Sequence, residues 1–142
     1  APDKLAARVT EATCEACNSY NMLRLTQLLH RLGPQPRYAD FYERTLYNHI
    51  LSTQYPGHGG LVYFTPVRPR HYRVYSQPQE CFWCCVGSGI ENHGRHGAFA
   101  YTRCRDGLAV NLYMASRLHW RERGLGQLRQ GAVAPRRTVI GR

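Results

Sequence analysis

The sequence predicts a mainly α chain that turns to β structure near residue 100. Two apolar stripes at helical spacing flank Gly33-Pro34, the texture then breaks into a Gly- and Pro-rich stretch, and from Phe99 apolar and polar residues alternate. The first stripe is Tyr20, Leu23, Leu25, Leu28, Leu29 and Leu32, with Asn18 or Ser19 as its cap and Gly33-Pro34 as its stop. The second runs from Arg37 to about Thr53 and places Tyr38, Phe41, Tyr42, Leu46, Ile50 and Leu51 on one face. Joined by so short a turn, the two make an antiparallel helical hairpin. Gln54–Gly60 reads as loop, Leu61–Thr65 as a short strand ended by Pro66, and residues 66–80, with three prolines, as an ordered excursion. Val86–Ala100 is expected to be helical in part. Phe99–Cys104, a turn at Asp106-Gly107 and Leu108–Tyr113 then form a β-hairpin. Residues 117–142 show no sustained period and no core.

Bulk properties narrow the function classes. A chain of 142 residues with 43% apolar content can bury a core, and that content excludes a disordered polymer. No apolar run approaches the roughly 18–20 residues that span a bilayer, so no membrane partner is expected. The start, Ala1-Pro-Asp-Lys4, carries no initiator Met and no signal pattern, and reads as an internal piece. The net charge of +10 would suit nucleic acid, but it is unevenly spread. From Arg117 onward there are seven arginines and one acid, Glu122, and Lys4 is the sole lysine in the chain. A solvated tail explains the excess better than a binding face, so no nucleic acid is expected.

Six cysteines are either disulfides or metal ligands. Cys84 and Cys85 are neighbours, and a bond between adjacent cysteines is strained, so a reducing compartment (the cytoplasm is favoured) and a metal fit better. Glu15-Ala-Cys17 sets a carboxylate and a thiol two residues apart, and Cys84-Cys85 adds two sulfurs 67 residues after Cys17. Zinc takes thiolates at about 2.3 Å and carboxylates at about 2.0–2.2 Å in tetrahedral sites. The spacing alone is not that of a zinc finger, and on it the cysteines read more readily as small buried hydrophobes.

Larger blocks of sequence shift that balance. Leu5–Leu23, which contains Cys-Glu-Ala-Cys, resembles a segment of glycoside hydrolase family 127, the β-L-arabinofuranosidases and their relatives. So do Arg37–Leu51, Phe82–His93 and Val110–Tyr113, in the same order, covering roughly residues 3–125. The resemblance implies the C-terminal part of an (α/α)6-barrel catalytic domain, of the six-hairpin glycosidase kind, over residues 1–100. It further implies the start of a β-sandwich over residues 101–125, with a divergent Arg-rich tail over 126–142. It implies a Zn2+ ion held by Glu15, Cys17, Cys84 and Cys85, with Cys84 also the nucleophile of a retaining hydrolase acting on a terminal β-L-arabinofuranoside. Glu43 and Tyr63 are expected to contact the sugar, and Trp83 to be a sugar-stacking platform or core, with core favoured. Glu91 and His93 would support the site from behind, or lie at a helix surface. The family's general acid falls ahead of Ala1, so this chain is expected to be inactive by itself. A competing reading is a small zinc-binding interaction or nucleic-acid module that uses the basic tail.

Overall fold

The structure, a computed structural model, describes residues 4, 7–105, 107–121 and 125–131. Helix α1 spans Ala16–Leu32 and α2 spans Pro36–Asn48, the latter starting with a proline where a missing N–H costs nothing. A 3-10 turn over Ile50–Thr53 ends the hairpin. After the long loop come α3, Cys84–Arg95, and the single turn α4, Gly97–Ala100. Strands β1 (Tyr101–Cys104) and β2 (Gly107–Val110) pair antiparallel, as do β3 (Ser116–Trp120) and β4 (Leu125–Gln130). The architecture is therefore a helical part followed by two separate two-stranded ladders. Among the described residues no helix is long and apolar enough to cross a membrane.

One core binds the helical part to the first ladder. Leu23 of α1, Tyr42 and Leu46 of α2, Ile50, Phe99 and Ala100 of α4, and Leu112 beyond β2 form one buried cluster. Tyr42 and Phe99 lie ring against ring at 4.4 Å. Asn111 closes the joint, its side-chain amide donating to the Phe99 carbonyl at 2.9 Å.

Several expectations need correction. The face of α1 that is buried is Ala16, Tyr20, Leu23, Thr26, Gln27 and His30, whereas Leu25, Leu28, Leu29 and Leu32 are exposed, Leu32 to 87%. Polar residues can occupy that stripe because two of them find partners: Thr26 donates to the Met22 carbonyl at 2.7 Å and Gln27 to the Ala98 carbonyl at 3.4 Å. Of the second stripe, Tyr42 and Leu46 on α2 and Ile50 in the 3-10 turn are buried as expected, but Phe41 on α2 and Leu51 in the turn are exposed. Asn18 and Ser19 do not cap α1. They lie inside it, and Glu15 occupies the N-cap position without a side-chain capping bond. Leu61–Thr65 is a run of isolated bridges, Gln54 with Leu61, Val62 with Tyr75 and Glu15 with Phe64, rather than a strand. Phe99 belongs to α4, so the β-hairpin starts at Tyr101; Asp106 of its turn lies outside the described residues. The stretch from Arg117 does contain regular structure, the β3–β4 ladder, while the tail from Ala132 onward lies outside the described residues.

Candidate metal centre

Two helix starts meet at one point. Glu15 and Cys17 stand at the N-cap and in the first turn of α1, and Cys84 and Cys85 are the first two residues of α3. Peptide N–H groups at a helix start are unpaired and carry partial positive charge, which favours anions, thiolates included. The meeting is built by backbone pairing. Ala16 donates to the Tyr63 carbonyl at 3.0 Å and Glu15 bridges to Phe64, so the segment before α1 is tied to the bridge segment. From the other side Gly89 of α3 lies against Leu61; a methyl group there would come within 2.8 Å of Leu61 Cδ1. A glycine at this turn lets α3 sit close enough for its first residues to face α1.

One ligand atom from each of Glu15, Cys17, Cys84 and Cys85 lies within 4.8 Å of the other three. The Cys84 and Cys85 sulfurs are 3.9 Å apart, close to the ~3.8 Å edge of a tetrahedron with 2.3 Å metal–sulfur bonds. All six cysteines are free thiols. A carboxylate and three sulfurs form a donor set able to hold a metal ion. The burial of the four differs usefully. Cys85 is buried, Glu15 and Cys17 half-buried, and Cys84 exposed.

The electrostatics divide the two adjacent thiols. The Tyr63 hydroxyl beside Cys84 is the main cause that lowers its pKa, with the Cys17 thiol next, so Cys84 ionises more readily than an ordinary cysteine. The same contact raises the Tyr63 hydroxyl. Burial pushes Cys85 up to about 12, with Cys17 adding to the rise. Several negative groups this close repel one another unless a cation lies among them. Cys85 in particular needs that cation to become a thiolate at neutral pH.

The remaining expected residues fall into two places. Tyr63 is at the cluster, and its ring lies 6.3 Å from that of Trp83, the residue just before α3. Tyr63, Phe64, Trp83, Tyr72, Pro66 and Glu11 line a depression of about 260 Å³ beside the cysteines. Trp83 is half-buried and shares in this wall, so it is not purely core. Glu43, by contrast, lines a separate groove of about 360 Å³ with His30, Asp40, Asn111 and Tyr113, to which none of the four cluster residues contributes. Glu91 is exposed and bonded to Arg95, while His93 is half-buried and within 3.5 Å of Thr53 Oγ1. Sequence reasoning missed Ser88, whose hydroxyl lies 3.1 Å from Cys17 Sγ. Its position one turn after Cys84-Cys85 was the available signal.

Fold and site together define a helical domain with a cysteine-rich cluster at two helix N-termini. The family profile described as beta-L-arabinofuranosidase, GH127 catalytic domain, matches residues 1–98. The chain belongs to that family of glycoside hydrolases. A search of curated proteins found no match.

Proposed function

We propose that the chain carries the zinc centre and nucleophile of a retaining hydrolase of terminal β-L-arabinofuranosides. The observation that carries this reading is the convergence of Glu15, Cys17, Cys84 and Cys85 within 4.8 Å, in a chain of a glycoside hydrolase family. In this reading the helices are part of an (α/α)6 barrel over residues 1–100, and β1, β2 and β3 open a β-sandwich over 101–125. Residues 126–142 are a divergent extension.

Glu15, Cys17, Cys84 and Cys85 would hold the ion. When bound, zinc keeps its thiol ligands deprotonated at neutral pH. The protein's own groups do the rest. Cys84, exposed and eased into ionisation by Tyr63, is the sulfur that reaches the substrate, while buried Cys85 stays a ligand. The Cys84 sulfur forms a bond to the anomeric carbon as the bond from that carbon to the leaving oxygen breaks. The leaving oxygen needs a proton from a general acid, a role this reading assigns to none of the residues of the cluster. Water, giving its proton to the same acid now in its base form, then displaces the sulfur, which leaves as thiolate, and two inversions give retention. Tyr63 lines the sugar side.

The test has two readouts on the full chain. Elemental analysis should find about one zinc per chain, falling sharply in Glu15→Gln and Cys85→Ser. A furanose-configured epoxide should add its mass to Cys84 and not to Cys84→Ser. Zinc at background level in the unaltered protein, or an adduct confined to another cysteine, would sink the proposal.

A further inference from the structure

The depression beside the cysteines does not end at Tyr72. A second one, about 400 Å³, is lined by Pro66, His71, Tyr72, Arg73 and Tyr75, and the two share Pro66 and Tyr72. The two depressions adjoin at Pro66 and Tyr72; the first, with Tyr63, is mostly aromatic, and the second holds His71 and Arg73. The residues that line the second depression belong to the loop from Pro66 to Gln79, which has three arginines, one histidine and no acid. The loop is held at both ends to the segment that carries the centre. The Val67 amide donates to Thr13 Oγ1 at 3.1 Å, and Tyr75 bridges to Val62. The Ser76 amide donates to the Leu61 carbonyl at 2.8 Å. Arg73 also lies close enough to His49, whose pKa burial lowers, to add to that lowering, and His49 bonds Ser19 of α1 at 2.8 Å.

The charges of this loop are not spent on the fold. Neither ion pair among the described residues, Arg44 with Asp40 and Arg95 with Glu91, uses Arg68, Arg70 or Arg73. All three are exposed, and Tyr72 between them is 82% exposed. A solvated charged loop would be the simple account of arginines alone. It does not account for Arg73 lining a depression that adjoins, through Pro66 and Tyr72, the aromatic one at Tyr63, whose hydroxyl contacts Cys84. Aromatic faces give a sugar ring an apolar surface, and a guanidinium fork matches a carboxylate in two hydrogen bonds. Glu11 lines the first depression and not the second, so as a hydrogen-bond acceptor it suits the hydroxyls of a neutral ring there.

The geometry points to a substrate whose leaving part is an acidic oligosaccharide, with a ring stacked between Tyr63, Trp83 and Tyr72 and a carboxylate held by Arg73 and its loop neighbours. This rests on the reading of Cys84 as the sugar-bonding group, since that makes the adjoining depressions the place of the leaving part. It goes beyond that reading by assigning the loop a role in selection.

Calorimetric titration of the full chain with a trigalacturonate and with the neutral galactose trimer of equal length tests it. The acidic trimer is expected to bind about tenfold more tightly at low salt, with the preference shrinking as ionic strength rises. The double variant Arg70→Gln/Arg73→Gln should bring the two ligands to similar affinity, whereas Arg31→Gln, at the exposed end of α1, should leave the preference intact. Equal binding of the two trimers, binding of neither, or a preference that survives the double substitution overturns the inference. So does tighter binding of a thymidine oligonucleotide through the same arginines, which would make the loop a nucleic-acid surface. Zinc content on the same sample separates the failures. Zinc present with no preference removes only the loop's role, and zinc absent removes the nucleophile reading.

Discussion

The adjacent sulfurs of Cys84 and Cys85 are chemically unlike because they face different surroundings. Cys84, at the mouth of the cluster, has the Tyr63 hydroxyl to stabilise its thiolate, whereas Cys85 beneath it is buried and held up at about 12. After chelation, iodoacetamide at about pH 7.5 should therefore modify Cys84 at least tenfold faster than Cys85, since only the thiolate reacts. Tyr63→Phe removes a group that favours the charged form, so the Cys84 labelling profile should move to higher pH. Peptide mapping of the labelled chain reads both effects, and faster labelling of Cys85 would contradict the assignment. The identity of these residues was legible in the sequence through the family's Glu-x-Cys and Cys-Cys pattern. Their inequality was not, because burial and the Tyr63 contact depend on a segment 21 residues before Cys84 and 46 after Cys17.

At the scale of elements, the site depends on how closely three pieces of backbone pass. Gly60 is the tightest of these points: a Cβ there would stand 2.1 Å from the Ser76 carbonyl oxygen, a backbone atom that cannot swing aside. Gly60→Ala is expected to cost about 1–3 kcal/mol, the range of overpacking in a closed site, and to loosen the bridge segment that carries Tyr63. Urea unfolding monitored by circular dichroism measures the loss; a midpoint unchanged from the unaltered chain would contradict the contact. Gly89→Ala should be milder, because its neighbour is the movable end of the Leu61 side chain. The existence of both long helices was readable from spacing, and Gly33-Pro34 did mark the turn between them. The rotation of α1 was not readable. Four leucines outvote Thr26, Gln27 and His30 in any count of apolar residues, yet the face that packs is decided by what α2, α3 and Phe99 present to it.

Across the whole molecule, the joint between helices and strands carries a pH-dependent load. His96 follows α3, 7% exposed, with Nδ1 3.2 Å from the Tyr42 hydroxyl, and burial, aided by His93, lowers its pKa to about 4. Its folded pKa lies below the unfolded value of about 6.5, so between the two the unfolded chain binds the extra proton. This contribution to stability is complete above about pH 6.5 and is lost as pH falls toward 4. Thermal melts of the unaltered chain should show that decline, and His96→Gln should flatten it. Identical pH profiles for the two would show that His96 does not carry the load.

By itself the sequence determined the family, the two long helices, the break at the long loop, the turn to β structure near residue 100 and the four residues of the centre. These follow from local periodicity, from turn residues and from a motif whose chemistry tolerates few substitutions. Only the tertiary structure decided which face of α1 is buried, that the cysteines sit at two helix starts, that Glu43 lines a different groove from Tyr63, and that an arginine loop lines a depression adjoining the one at Tyr63. Each of those is a matter of which distant segments share one volume, and neighbour identity across dozens of residues leaves no trace in local spacing.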